Sequence, residues 1–134
     1  MNILLTHPKL SDIVGKVQER CLVPIIGSTI YKEVLIKVVK GEVEKLGIVF
    51  DVVGINVLKL IKLVHEVEPR LPILAWDCPP LSFDEIVDYP ELLEEHIFFI
   101  DSRYLEGDPF FECFNKFFSG TLTSFDFTEF EKRS

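Results

Sequence analysis

Apolar and polar residues alternate along this chain in blocks that predict five strands, each followed by a helix. The candidate strands are short, nearly continuous apolar runs, as buried strands are: 2–6 (NILLT), 22–26 (LVPII), 46–50 (LGIVF), 71–76 (LPILAW) and 96–100 (HIFFI). The segments after them carry apolar residues every three or four positions, which is typical of amphipathic helices. This alternation favours a parallel sheet with helices on both faces. We therefore predict an α/β fold, a single three-layer, doubly wound domain with five parallel strands and about five helices.

Turn and cap residues sharpen several boundaries. Pro24 has no N–H to donate to a ladder, which predicts that the second strand lies at or near an edge. Residues 27–29 (GST) supply turn and N-cap chemistry for the second helix. Ser82 and Glu85 match the capping box of a fourth helix. Pro90 follows so closely that this helix is expected to be short, kinked or split.

The last helix has its own start and stop signals. Asp108 and Pro109 suit the N-cap and the first turn, and Gly120 suits the position just past the end. We assign residues 1–120 to the domain and 121–134 to a tail or linker. Phe125, Phe127 and Phe130 in the tail predict packing on this domain or on a partner.

Composition bounds the class of protein. The 134 residues are 48% hydrophobic and include 12 Phe, which is enough for one domain with a substantial core. Lys, Glu and Ile are frequent while Gln occurs once and Asn three times, which leans towards a thermophilic source.

Charge and targeting features exclude several partners. The net charge of −8 argues against nucleic-acid binding. No apolar run approaches the roughly 20 residues of a membrane span, and residues 1–10 do not resemble a signal peptide. The three cysteines show no metal or redox spacing, which indicates reduced thiols and a cytoplasmic protein.

Polar residues stand where the predicted strands end. Thr6 and His7 follow the first strand, Asp51 the third, Asp77 the fourth and Asp101 the fifth. In an open parallel sheet, the functional crevice lies beyond the carboxyl ends of the strands. Three aspartates at such positions indicate a site or the remnant of one.

With these strand ends, "IVFD" (48–51) and "LPILAWD" (71–77), the chain resembles the receiver domain of two-component response regulators, a CheY-like, flavodoxin-like fold, over about residues 1–120. The resemblance implies the strand order 2-1-3-4-5 and a phospho-acceptor aspartate at Asp51. It also implies a Mg²⁺-binding acidic pair after the first strand, a Thr or Ser after the fourth and a Lys-Pro after the fifth. Here Thr6 and His7 replace the acidic pair, Asp77 replaces the Thr or Ser, and Asp101 replaces the Lys. The loop after Asp51 is also shorter than in that family.

These replacements change the electrostatics of the crevice. Phosphoryl transfer needs positive charge around the incoming oxygens, normally from a metal ion and a lysine. Three aspartates opposed only by His7 and Arg103 would raise the pKa of at least one carboxyl and repel a phosphoryl group. The prediction is therefore a degenerate receiver, a pseudo-receiver, that works without a cofactor.

Other roles for the same residues stay open. Asp51 is a retained phospho-acceptor, a cap of the following helix or a carboxylate facing solvent. Asp51, Asp77 and Asp101 could instead bind a divalent cation such as Mg²⁺ together with His7. Cys78 at the crevice is expected to be an inert thiol.

The expected interaction surface lies elsewhere. Residues 83–96 are strongly acidic, and the resemblance implies that the fourth helix, fifth strand and fifth helix contact partners. Aromatic residues predicted on this surface are Tyr89, Tyr104, Phe110 and Phe111. Exposed aromatics among charges mark interfaces, so we predict a protein partner or a homodimer.

The functional hypotheses are thus three. The first is a non-catalytic, phosphate-independent signalling module that acts by protein interaction. The second is a working receiver phosphorylated on Asp51. The third is a small enzyme that uses a divalent metal held by the strand-end aspartates.

Overall fold

The computed structural model describes residues 1–103, 105 and 107–122, and in them strands and helices alternate as expected. The elements are β1 (Asn2–Leu5), α1 (Asp12–Arg20), β2 (Ile25–Ser28), α2 (Tyr31–Val39), β3 (Lys45–Val49), α3 (Val57–Val67), β4 (Ile73–Trp76), α4 (Phe83–Asp88), β5 (Ile97–Ile100) and α5 (Asp108–Ser119). Two short 3₁₀ helices cover Pro8–Leu10 and Pro90–Leu93. The tail residues Phe125, Phe127 and Phe130 lie outside the described part of the chain.

The five strands form one parallel sheet in the order β2-β1-β3-β4-β5. The register places Leu5 beside Ile48, Val49 beside Trp76, and Trp76 beside Ile100. All carboxyl ends therefore meet at one edge of the sheet. The predicted α/β fold with its strand order is confirmed, and β2 lies at an edge as Pro24 indicated.

Alternate residues of each strand supply two hydrophobic clusters, one on each face. Ile48 and Ala75 point into the cluster under α2 and α3. Val49 and Trp76 point into the cluster under α1 and α5, where the Trp76 ring lies 5.1 Å from that of Phe110. This period of two, with both faces covered, explains why the strands are apolar throughout.

A glycine sets how closely α5 approaches the sheet. A Cβ at Gly47 in β3 would lie 2.9 Å from ring atoms of both Phe114 and Phe118. The two phenylalanine rings therefore occupy space that any other residue at position 47 would need.

Several boundary predictions are confirmed and others need correction. Ser82 and Glu85 form both bonds of the capping box, and Pro90 ends α4 by opening a 3₁₀ helix. Gly120 ends α5 in the left-handed conformation, with φ 80°. The N-cap of α5 is Gly107, whereas Asp108 is already helical.

The second strand–helix unit is shifted relative to the prediction. β2 begins at Ile25, because Pro24 cannot enter the ladder, and Gly27 and Ser28 belong to the strand rather than to a turn. The N-cap of α2 is Ile30, without a side-chain cap. The Ser28 hydroxyl instead accepts a hydrogen bond from the Ile30 N–H at 3.2 Å.

None of the helices in the described ranges is both long and apolar enough to cross a bilayer.

Candidate functional site

The residues predicted at the strand ends lie along the carboxyl edge of the sheet. Thr6 follows β1, Asp77 follows β4, and Asp101 follows β5, while Asp51 comes two residues after β3. Because β4 and β5 are neighbours and Trp76 pairs with Ile100, Asp77 and Asp101 extend from adjacent strands. The edge is therefore acidic over at least the β3–β5 part of the sheet.

Asp77 is the carboxyl most affected by this environment. Partial burial raises its pKa, the charge of Asp101 raises it further, and the Arg103 guanidinium opposes both effects. Desolvation is the largest of the three effects on this pKa, the attraction of Arg103 is the second, and the repulsion from Asp101 is the smallest. Arg103 is exposed, and its charge favours the ionised form of Asp77.

The backbone at Asp77 is also unusual. Its φ is +60°, in the left-handed region, which aspartate and asparagine tolerate better than most residues. The Cys78 N–H still donates to the Ile100 carbonyl at 3.0 Å, but the Cys78 side chain lies in the cluster under α2 and α3, on the face of the sheet opposite to Trp76.

Thr6 and His7 cannot replace the acidic pair of a receiver. Thr6 is fully buried, and its hydroxyl has no hydrogen-bond partner in the described part of the chain. His7 caps the first 3₁₀ helix, since its Nδ1 accepts the Lys9 N–H at 3.0 Å. Neither side chain offers the carboxylate oxygens that Mg²⁺ prefers.

Asp51 is exposed and does not cap the helix that follows. The N-cap of α3 is Asn56, whose Oδ1 accepts hydrogen bonds from the N–H groups of Leu58 at 2.9 Å and Lys59 at 3.3 Å. The capping role considered for Asp51 is therefore wrong, and the alternative of a solvent-facing carboxylate agrees with its exposure.

A small cavity of about 110 Å³ opens beside Asp51. Its walls include Asn56, Cys78 and Glu85 as well as apolar side chains. Burial, with added repulsion from Glu85, Asp101 and Asp77, raises the pKa of the Cys78 thiol to about 12. The thiol stays protonated at neutral pH and is a poor nucleophile, as the sequence indicated.

The proposed metal ligands do not converge. Within residues 1–103, 105 and 107–122, no three His, Cys, Asp or Glu side chains are grouped so that they could hold a metal ion. His7, one of the four candidate ligands, uses its Nδ1 for the helix cap. What this acidic edge offers chemically is negative potential, which disfavours an incoming phosphoryl group.

Two of the four aromatic residues predicted for the interaction surface are not on it. Phe110 and Phe111 are buried in the cluster between α1, α5 and the sheet, so their assignment to an exposed interface is wrong. The Arg20 guanidinium covers Phe111, 4.4 Å from the ring centroid. Tyr89 is half-buried with Lys62 Nζ 5.7 Å from its ring centroid, and Tyr104 lies outside the described residues.

Other apolar side chains take their place on the surface. Phe83 and Val87 on α4 are 79% and 59% exposed. They stand one helical turn apart, beside the exposed carboxylates of Asp84 and Asp88. The sequence signal is an i, i+4 apolar pair within the acidic run, which a six-residue helix makes hard to recognise.

Comparisons of this chain with protein-family models, with curated proteins and with solved structures find no significant match in any of the three.

Proposed function

We propose that this chain is a non-catalytic, receiver-like interaction module of a signalling system, with an input other than phosphate. The β2-β1-β3-β4-β5 order supports the receiver-like part of the proposal. A cytoplasmic location agrees with the three free cysteines. The partner, another protein or a second copy, would contact α4, the 3₁₀ helix after it and β5.

One observation carries the phosphate-independent part. Asp101 stands where a receiver would place its lysine, and the charge of Asp101 raises the pKa of Asp77 on the neighbouring strand. A phosphoryl group on Asp51 would add about two negative charges at neutral pH to this edge. With Thr6 and His7 in place of the acidic pair, this edge does not have the two carboxylates with which a receiver binds the Mg²⁺ that would offset that charge.

The test is an amide NMR titration of the full chain with Mg²⁺, followed by beryllofluoride as a mimic of the phosphoryl group. We expect no saturable shift at Asp51, Asp77 or Asp101, because Asp101 stands in place of the lysine, and Thr6 and His7 in place of the acidic pair, that would hold the mimic and its Mg²⁺ in a receiver. The same titration on Asp51→Asn is the matched control, since it removes the acceptor carboxylate without changing its size.

A saturable shift that starts at Asp51, spreads to α5 and disappears in Asp51→Asn would contradict the proposal. It would establish the second hypothesis, a receiver that is still phosphorylated. A shift with Mg²⁺ alone that Asp51→Asn removes would instead favour a metal-dependent activity.

A further inference from the structure

Two exposed surfaces of opposite charge lie on the helical layer formed by α2, α3 and α4. The acidic surface consists of Phe83, Asp84, Val87 and Asp88 on α4. All four side chains are exposed, and their spacing of one and four residues keeps them on the outward side of a short helix. It combines apolar area with two carboxylates and has no lysine or arginine.

The basic surface spans α2 and α3. Its apolar members Ile36, Val39 and Val67 are 55%, 68% and 44% exposed. Its charged members are the exposed lysines Lys32, Lys40 and Lys59. The two helices also carry two exposed carboxylates, Glu33 on α2 and Glu66 on α3, so the three lysines leave this surface with a small positive net charge in a chain of net charge −8.

Contacts on α3 show which of its edges faces α2. Lys62 lies over Tyr89 and His65 stacks on His96, with ring centroids 6.1 Å apart, so this edge of α3 faces α4 and β5. The opposite edge, which carries Val67, therefore faces α2. Since α2 packs beside α3, Val67 lies where the exposed surfaces of the two helices adjoin.

The charges disfavour a symmetric contact through α4. In a two-fold dimer, the same surface is used by both copies. The carboxylates of Asp84 and Asp88 would then face the same carboxylates of the partner, and like charges in contact are repulsive.

We infer that a second copy of this chain docks its basic surface on the acidic surface, head to tail. This inference rests on the proposed function, and it identifies the partner of the α4 surface as a second copy of the chain. Each contact pairs exposed apolar side chains with exposed apolar side chains and lysines with aspartates. Because the two surfaces differ, every added copy leaves one of each unused, so growth continues beyond the dimer unless a ring closes.

The experiment is sedimentation velocity on the full chain from about 1 µM to about 500 µM, at ionic strengths of about 0.05 M and 0.5 M. At low salt we expect the weight-average mass to rise from the monomer's 15.4 kDa through the dimer without a plateau. High salt should lower the association constant by about tenfold or more, since it screens charges at the rim of the contact.

Charge reversals identify the surfaces. Asp84→Lys with Asp88→Lys should abolish self-association, although the loss of two negative charges and the gain of two positive ones bring the net charge from −8 to −4 and so weaken general repulsion. Lys32→Glu with Lys59→Glu should abolish it as well. Lys9→Glu with Lys16→Glu makes the same change in net charge on the other side of the sheet and should leave association within about twofold of the wild type.

Mixing the two reversed proteins is the decisive step. Neither associates alone, but an equimolar mixture contains the original pair of surfaces and the exchanged pair, so association should return. Recovery also shows that both variants are folded. If the mixture stays monomeric while circular dichroism shows native helix content, the inference is wrong.

Other outcomes also overturn the inference of head-to-tail docking. A wild-type chain that stays monomeric over the whole range, or a dimer that reaches a plateau and survives both reversals, would exclude the head-to-tail contact. Either result leaves the phosphate-independent module standing if the beryllofluoride titration is flat. A positive titration with normal assembly would instead overturn the proposed function alone.

Discussion

Two features of Asp77, its backbone conformation and its charge, have opposite effects on the stability of the fold. Its backbone has φ +60°, and its partly buried carboxyl lies near the like charge of Asp101. Asparagine also tolerates the left-handed region, so it would fit this backbone conformation while removing the charge of the side chain. Asp77 is therefore a residue whose side-chain charge works against the folded state while its conformational preference supports it.

Asp77→Asn is expected to raise the free energy of unfolding at neutral pH. The raised pKa means that folded Asp77 binds its proton more tightly than unfolded Asp77, so ionisation costs stability as the pH rises through the folded pKa. The gain should be full above that pKa and vanish below about pH 4, the ordinary aspartate value, where both proteins are neutral at this site. Urea unfolding of the wild type and of Asp77→Asn, from low to neutral pH, measures this gain in the free energy of unfolding.

Asp77→Ala is the control for the backbone. It also removes the charge, but alanine in the left-handed region should make it about 1 kcal/mol less stable than Asp77→Asn. A gain from Asn that persists unchanged at low pH would show that charge is not the cause.

α5 packs closely on the sheet where it crosses β3. Gly47 lies directly under Phe114 and Phe118, and a Cβ added at Gly47 would also lie 3.1 Å from a side-chain atom of Leu4 in β1. The phenylalanine stripe of α5 thus reaches the backbone of the central strands rather than only their side chains.

Gly47→Ala should destabilise the fold by about 1–3 kcal/mol, because the added methyl group overpacks a core that has no space for it. Gly15→Ala on α1 is the matched control, since a Cβ there meets nothing within 4 Å. That change should stabilise by roughly 0.5–1 kcal/mol through helix propensity. Thermal unfolding of the two variants beside the wild type measures both effects, and equal losses would refute the packing argument.

Element types were predictable from pattern, and the errors have local causes. The continuous apolar runs identified all five strands, but the strand predicted over 22–26 begins later because Pro24 lacks an N–H. The prediction of Phe111 on the surface overlooks that Phe110, Phe111, Phe114 and Phe118 share one helical stripe. The juxtaposition of Asp77 and Asp101 followed from neighbouring strands, whereas the capping of α3 by Asn56 depends on loop geometry that pattern does not contain.

At the scale of the whole molecule, one sheet separates two hydrophobic clusters. Trp76 lies in the cluster under α1 and α5, and Cys78, two residues later, lies in the cluster under α2 and α3. These two side chains report on opposite layers from almost the same point in the chain. The strand order itself was implied by the resemblance to receivers, since apolar patterning does not specify which strands are neighbours.

Both layers are expected to unfold together, because each rests on the same five strands. In a variant with Cys21→Ser and Cys113→Ala, thiol labelling of Cys78 and fluorescence of Trp76 should give the same urea midpoint. Labelling of Cys78 at clearly lower urea than the fluorescence change would show instead that the α2–α3 layer opens on its own.

The strand order has a consequence for synthesis on the ribosome. β2 adds beside β1, β3 adds on the other side of β1, and β4 and β5 each add beside the strand made just before them. No later strand has to be inserted between two that are already paired, so the sheet can extend outward as the chain emerges. One face of the sheet, however, is completed late. Leu4, Val49 and Leu74 on that face lack their phenylalanine neighbours until α5, the last described helix, has left the exit tunnel.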